Sequence, residues 1–350
     1  TIIPKNKYSY TITFLSTRLI KYDRTRYKDS ITIKDEFQGT GPFKIKEYND
    51  AYIILEKNKN YFKGEPKVDY IKIIFFNSYY EQFSALMSGD IDLIFMADYS
   101  QVKWLKGNKD FNVIEKFFPF YITLLFNFKA NHPLNLKQRQ FLSALFSQEE
   151  LKYKFKEFYN KPAIGPLYPD SEVYKKYFQY NVKVQEQIHI PIKDFPELNI
   201  LYLEDIPILR KAAFYIQDKF IRQGIPVKFT PKKLIELDLS KLSDYNLFLT
   251  TFRAPNNLSY NYLKYGKEGV YNYTGYNNQK AEDIIIRSYT EFDKAKIFKL
   301  EEDFYLEIMK DYPEIFLFYP KEIFIISNKV KLNSEPDIFL FNSHLWEKSK

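Results

Sequence analysis

Residues 39–95 decide the fold of this chain, and they read GTGPFKIKEYNDAYIILEKNKNYFKGEPKVDYIKIIFFNSYYEQFSALMSGDIDLIF. The opening glycine turn leads into two strands, the first with alternating lysines, and residues 69–75 form a third. A helix is predicted over residues 79–88, because Gly89 ends the helical pattern and a short apolar strand, residues 91–95, follows. This order of strands, helix and buried strand predicts part of an α/β domain.

Length and composition are those of an ordinary globular protein. The chain has 350 residues, enough for two domains, with 45% hydrophobic and 27% charged residues. Apolar runs are too short for a membrane span, which needs about 20 residues. The absence of cysteine excludes disulfides and thiolate chemistry. The net charge of +8 comes from lysines interleaved with acidic residues, which favours a mixed solvated surface over a nucleic-acid partner.

The second half of the chain shows a different arrangement of elements. Residues 121–128 form a near-continuous apolar run, typical of a strand buried on both faces. A strand at 198–203, an amphipathic helix at 208–223 and a strand at 227–229 follow. Because a long helix joins the two strands, they are predicted to be parallel and linked by a right-handed crossover. A further buried strand is predicted at 245–250.

No pattern in the sequence indicates catalysis. The glycine turn lacks the Gly-Lys-Ser/Thr of a phosphate-binding loop, and no Gly-x-Ser-x-Gly segment occurs. The three histidines are too widely separated to match metal-ligand spacing. The carboxylates lie beside lysines on helices, as on solvated faces. The sequence therefore predicts no catalytic residues, no metal site and no cofactor, and the chain is not expected to be an enzyme.

Several spaced segments together resemble one family. The glycine turn, the loop ending in Phe62-Lys-Gly-Glu-Pro66 and the helix–strand unit before Phe95 follow the order found in family 5 of the solute-binding proteins. These proteins serve ABC importers of dipeptides, oligopeptides and nickel. Residues 216–227 and 272–277 also resemble the family. The resemblance implies an α/β, two-lobed, periplasmic-binding-protein-like (type II) architecture, with mixed sheets flanked by helices and an interlobe cleft.

The resemblance also implies a division of the chain. Family members carry a substantial segment before the glycine turn, and this sequence resembles a member in which the N-terminal part is lacking. Whether that part is naturally absent stays open. The expected organisation is a stub of an N-terminal or accessory region at 1–35, part of lobe I at 36–128, a lobe III-type α/β domain at 129–316, and a return segment to lobe I at 317–350.

Candidate ligand-binding residues lie where loops leave the carboxyl ends of strands, since two-lobed α/β receptors hold their ligands there. Aromatic rings and side-chain amides suit a polar organic solute. The alternative is that the tyrosines only pack their loops. The predicted ligand-binding residues are Phe126, Asn127, Phe252, Arg253, Asn256, Asn257, Tyr271, Tyr273 and Tyr276.

One departure from the family concerns the charge of the solute. Peptide-binding members carry an acidic residue in the loop after this strand, whereas the present sequence has Arg253 followed by Ala-Pro-Asn-Asn. Arg253 would offer a charge-assisted hydrogen bond to an anionic or hydroxyl-rich solute. An equally open alternative is that Arg253 only bridges to a neighbouring carboxylate.

The resemblance implies an extracytoplasmic receptor of an ABC importer, in the periplasm or on the outer face of the cytoplasmic membrane, with a lipid anchor among the options. Its partners would be the transporter permease and a small polar solute, peptide-like or anionic. The lobes would close about hinge strands at 121–128 and 317–323. Two alternatives stay open: the ligand-sensing domain of a cytoplasmic transcription regulator, and a truncated accessory member that binds no solute.

Overall fold

A computed structural model describes residues 40–95, 99–105, 107–178, 191, 194–233, 236–334 and 342–348. The predicted stub at 1–35 lies outside these residues. The strands and helices are β1 (Phe43–Tyr48), β2 (Tyr52–Lys57), β3 (Tyr70–Ile74), α1 (Tyr79–Ser88), β4 (Leu93–Ile94), α2 (Tyr99–Trp104), β5 (Phe111–Phe117), β6 (Phe120–Phe126), α3 (Leu136–Ala144), α4 (Gln148–Lys154), β7 (Tyr159–Pro162), α5 (Glu172–Phe178), β8 (Leu198–Leu203), α6 (Pro207–Arg222), β9 (Val227–Lys232), β10 (Leu247–Arg253), α7 (Tyr262–Tyr265), α8 (Gln279–Arg287), α9 (Lys294–Asp311), β11 (Glu314–Ser327), β12 (Val330–Lys331) and β13 (Glu347–Lys348). None of the helices in the described ranges is long and apolar enough to cross a membrane.

The chain divides into two compact units. The larger unit holds the described residues from Phe117 to Lys321, and the smaller one holds the described residues up to Lys116 and those from Glu322 onward. In the smaller unit, β1, β2 and β3 form an antiparallel sheet. The helix α1 occupies the predicted residues, because the Ser78 side chain accepts a hydrogen bond from the Glu81 amide and Gly89 takes a left-handed φ of 84°.

The larger unit is built on a mixed sheet in which β11, β6, β10, β8 and β9 are neighbours in that order. Strands β10, β8 and β9 are parallel, and β6 is antiparallel to both β10 and β11. The predicted parallel arrangement of strands β8 and β9 around a long helix is confirmed. Helix α6 buries Leu209, Ala212, Ile216 and Phe220 in the adjoining core, which stabilises this arrangement.

A second core of the larger unit packs α8 and α9 against the aromatic side chains of the central strands. It contains Tyr121 from β6, Phe304 and Ile308 from α9, and Tyr319 from β11, all with little or no exposed surface. The hydroxyl of Tyr319 donates a hydrogen bond to the carbonyl oxygen of Leu167 at 2.6 Å. This core therefore anchors the loop that follows β7.

The boundaries of the units differ from the predicted ones. The prediction put residues 36–128 in the first lobe and began the return segment at 317, whereas the contacts divide the chain after Lys116 and after Lys321. Strand β6 belongs to the larger unit because it pairs along its whole length with β10 and also with the first half of β11. An apolar strand buried on both faces needs such neighbours on each side.

Candidate functional site

A cavity of about 320 Å³ lies within the larger unit. Four segments surround it: the loop before α5, the turn after β10, the end of α8 and the first half of α9. We call it the α9 cavity. Its lining consists of Tyr168, Asp170, Ser171, Asn256, Asn257, Leu258, Ser288, Ile297 and Glu301.

The loop before α5 is fixed by contacts on both sides of the cavity lining. A side chain at Gly165 would meet the ring of Tyr305 on α9 at 2.6 Å, so the backbone lies directly against that helix. At the other end, the hydroxyl of Ser171 accepts a hydrogen bond from the Tyr174 amide at 3.2 Å. The loop therefore presents its polar side chains from a defined position.

The turn after β10 is fixed in the same way. The Ala254 amide donates to the carbonyl oxygen of Pro119 at 2.7 Å, and the side-chain Oδ1 of Asn257 accepts from both the amide and the hydroxyl of Ser259, at 3.0 and 2.8 Å. Asn256 is exposed and Leu258 is buried. This turn thus contributes one exposed amide and one apolar wall to the α9 cavity.

Charge in the α9 cavity comes from carboxylates. Ile297 and Glu301 are one turn apart on α9 and share a face. Burial raises the pKa of Glu301 above its usual range, while a hydrogen bond with Ser171 works in the opposite direction. Asp170 is mostly exposed and forms an ion pair with Lys161 at 3.1 Å. No lysine or arginine is among the lining residues, so the cavity suits hydrogen-bond donors.

A buried ion pair forms a second polar feature of the larger unit. The Lys264 ammonium donates to both carboxylate oxygens of Glu314, at 2.7 and 2.8 Å, and to the Tyr121 hydroxyl at 2.7 Å. Glu314 also accepts hydrogen bonds from the hydroxyls of Thr123, at 2.6 Å, and of Tyr265. We call these five side chains the Lys264 network.

The polar groups of the Lys264 network bond mainly to one another. All three ammonium donors of Lys264 are used, and its side chain also lies 4.1 Å from the centre of the Phe252 ring. Burial lowers the pKa of Lys264 to about 8, against the attraction of Glu314. The recess beside the network has a volume of only about 10 Å³, the size that holds a single water molecule. The network therefore links α7 to β6 and β11, and both of its charged groups already have partners.

Of the nine predicted ligand-binding residues, Asn256 and Asn257 line the α9 cavity. Phe252 is partly buried and packs over Lys264. Arg253, the last residue of β10, is exposed, forms no ion pair with another described residue, and is not part of the cavity lining. The structure thus separates Arg253 from the two asparagines that the sequence grouped with it.

Phe126 and Asn127 do not line the α9 cavity, and both make contacts within the fold. Phe126 is 2% exposed and belongs to the main core of the larger unit. The side-chain amide of Asn127 donates to the carbonyl oxygens of Leu242 and Tyr245, both at 2.8 Å. These bonds tie the end of β6 to the segment before β10.

The three predicted tyrosines lie in different surroundings. Tyr276 is 4% exposed, and its hydroxyl donates to Asp311 at 2.6 Å. Tyr273 is partly buried against a small apolar cluster, whereas Tyr271 is 48% exposed. The ring centres of these two tyrosines are 6.3 Å apart. Tyr271 and Tyr276 line the small recess beside the Lys264 network, not the α9 cavity. A ligand-binding role for the nine residues stays a prediction.

Sequence reasoning missed several residues of the α9 cavity, above all Glu301. It occurs in a run of three acidic residues beside lysines, the pattern of a solvated helix face. In the sequence, Glu301 differs from the neighbouring acidic residues only in lying four residues after Ile297. This spacing places its carboxylate on a partly apolar face of the helix. Among the residues that the structure describes, no group of three His, Cys, Asp or Glu side chains could hold a metal ion.

Comparison with known proteins identifies related sequences. The sequence profile described as "Bacterial extracellular solute-binding proteins, family 5 Middle" matches residues 3–265. The nickel-binding protein NikA of Staphylococcus aureus is 24% identical over 305 residues, covering 84% of this chain and 62% of the relative. The oligopeptide-binding protein AppA of Bacillus subtilis is 24% identical over 337 residues, covering 88% of this chain and 61% of the relative. The chain thus spans about three fifths of the length of the curated relatives it matches.

Solved structures share the fold. Staphylococcus aureus NikA in complex with Ni(L-His)2 superposes with a TM-score of 0.72 at 18% identity, covering 91% of this chain and 69% of that one. Bacillus subtilis AppA in complex with a nonapeptide superposes with a TM-score of 0.70 at 19% identity, covering 89% and 66%. The predicted family resemblance and the predicted periplasmic-binding-protein-like α/β fold are confirmed.

Proposed function

The chain belongs to family 5 of the bacterial extracellular solute-binding proteins, and from this premise we propose that it acts as the extracytoplasmic solute receptor of an ABC importer. The relatives are named as binding proteins, which supports a role in capture and not in catalysis. The observation that carries the proposal for this chain is the α9 cavity, which receives three residues, Asn256, Asn257 and Leu258, from the turn after β10.

The proposed solute is a polar organic molecule. At about 320 Å³ the α9 cavity falls in the size range of small-molecule sites. Its lining combines hydroxyl, amide and carboxylate groups with the apolar side chains of Leu258 and Ile297. Related structures hold a nonapeptide or a nickel–histidine complex. Side-chain amides and hydroxyls can satisfy the donors and acceptors of a peptide-like solute in the same way.

The proposed capture step is a hinge motion. The chain passes between its two units near Lys116 and near Lys321, so two segments would absorb the change in backbone angles. Because the α9 cavity is lined by the larger unit alone, closure requires a solute that extends beyond this cavity and binds the closed form more tightly, and the permease would recognise that form. No covalent step is needed.

Native mass spectrometry of the purified protein tests the proposal by looking for a co-purified small molecule. We expect a one-to-one complex that is lost when Ile297→Trp fills the α9 cavity, with the thermal unfolding temperature little changed. Arg253→Ala is the matched comparison, because Arg253 lies outside the cavity lining.

The two variants separate the alternatives for the site. Loss of the solute in Ile297→Trp alone supports the α9 cavity, whereas loss in Arg253→Ala alone supports the predicted anion contact. A wild-type protein that carries no solute and binds none from a peptide mixture in calorimetry would contradict the receptor function.

A further inference from the structure

Glu301 differs from the other carboxylates of α9 in its surroundings. Glu302 pairs with Lys176 and with Lys299, the latter at 3.2 Å, and Asp303 pairs with Lys299 at 2.9 Å. Glu307 pairs with two further lysines, at 2.8 and 3.0 Å. Two partly buried carboxylates of this helix, Glu301 and its last residue Asp311, make no ion pair with any described residue. Asp311 accepts hydrogen bonds from Tyr276 and Asn278, whereas Glu301 lines the α9 cavity.

The other residues that line the α9 cavity add hydrogen-bond acceptors and no positive charge. Asp170 is already paired with Lys161, and no cationic side chain faces the cavity from the four segments that surround it. Asn256 contributes an exposed side-chain amide, whose oxygen is a further acceptor. A carboxylate with reduced access to water and no counter-ion is stabilised by any cation that enters, and the raised pKa of Glu301 is in line with this.

We propose that the α9 cavity receives a guanidinium group of the solute and that Glu301 is its counter-ion; this inference rests on the proposed receptor function. A planar guanidinium donates two parallel hydrogen bonds to one carboxylate. It is also more weakly hydrated than an ammonium group, so it is more easily transferred to a site with apolar walls. Leu258 and Ile297 supply such walls for the aliphatic stem of the ligand.

The size of the α9 cavity agrees with this ligand group. Its volume of about 320 Å³ lies in the range of small-molecule sites. That space is sufficient for the side chain of arginine and is much larger than a bare ammonium group needs. Glu301 is thereby a specificity-determining residue, because it favours a cationic group over a neutral one of the same shape.

Isothermal titration calorimetry at pH 8 tests the inference with L-arginine and with L-citrulline, its uncharged analogue of nearly the same shape. The wild-type protein should bind arginine at least about tenfold more tightly than citrulline. Glu301→Gln should weaken arginine binding roughly tenfold to hundredfold, the range of a lost charge-assisted hydrogen bond, and leave citrulline binding unchanged. L-lysine, as the ammonium probe, should bind more weakly than arginine.

The matched control is Asp303→Asn, which removes one negative charge from the same helix but lies outside the cavity lining. It should leave arginine affinity within about twofold of the wild-type value. Glu301→Asp retains the charge and should keep the preference for arginine over citrulline. Thermal unfolding of each variant shows that the fold is retained.

The inference is overturned if arginine does not bind, if citrulline or lysine binds as tightly as arginine, or if Glu301→Gln keeps the wild-type affinity for arginine. Its failure can be told apart from failure of the receptor function. A co-purified solute that binds equally to the wild type and to Glu301→Gln would refute the role of Glu301 alone. A wild-type protein without any solute would refute the receptor function itself.

Discussion

The Lys264 network allows the stability of the larger unit to be tested by a double-mutant cycle. The side chain of Glu314 has no exposed surface, and that of Lys264 is 12% exposed. Lys264→Met removes the only cation that contacts Glu314 among the described residues and leaves hydroxyl donors from Thr123 and Tyr265. Because one buried charge then lacks its partner, the free energy of unfolding should fall by about 3–5 kcal/mol.

The second half of the cycle removes both charges. Replacing a buried ion pair by groups of similar volume is often neutral or stabilising, so Lys264→Met combined with Glu314→Gln should recover most of the loss. The coupling energy equals the recovered loss plus the cost of Glu314→Gln alone, so it should be at least about 3 kcal/mol, which is large for a pair in contact. Urea unfolding followed by far-UV circular dichroism at pH 7 measures all four proteins.

A surface pair provides the control. Lys175 lies 3.0 Å from Glu172 and both side chains are mostly exposed, so Lys175→Met should cost less than about 1 kcal/mol. The reasoning is refuted if Lys264→Met costs no more than this control, or if the double variant is no more stable than Lys264→Met.

Two further predictions concern single positions. Burial raises the pKa of Glu322 from 4.5 to about 7, so the folded protein holds a proton that the unfolded chain releases, and stability falls as pH rises through this interval. Glu322→Gln should therefore raise the free energy of unfolding by up to about 3 kcal/mol at pH 8 and change little at pH 4, and an equal effect at both values would contradict the assignment. Gly165→Ala should lower the free energy of unfolding by about 1–3 kcal/mol because the new methyl group meets the Tyr305 ring at 2.6 Å. Gly41→Ala, where the nearest atom is 3.8 Å away, should change this free energy little, and urea unfolding measures both variants.

Local signals explain why much of the secondary structure could be predicted. Helix α1 has the predicted bounds because Ser78 caps one end and Gly89 permits the left-handed turn at the other, and both effects act within a few residues. The parallel strands β8 and β9 followed from the length of the helix between them. The family was recognisable because several such segments occur in a fixed order.

Contacts between distant residues could not be predicted in the same way. Lys264 and Glu314 are 50 positions apart, and the pairing of β6 with β11 brings the Thr123 hydroxyl to the carboxylate while α7 supplies that of Tyr265. The polar residue Asn127 was a reasonable ligand candidate, yet its amide is used by two backbone carbonyl groups. The hydrogen-bonding capacity of a side chain is visible in the sequence, but the partner that occupies it is not.

The sequence by itself determined the family, the α/β class and most strands and helices, since turn residues, caps and hydrophobic periodicity act over short distances. Only the tertiary structure decided which polar groups face open space. Glu302 and Asp303 follow Lys299 by three and four positions and pair with it, whereas Glu301 follows it by two and lies on another face of the helix. That this face lines a cavity and not open solvent follows only from the packing of distant segments around α9. Burial and ion pairing depend on all the segments that surround a side chain, and these segments are far apart along the chain.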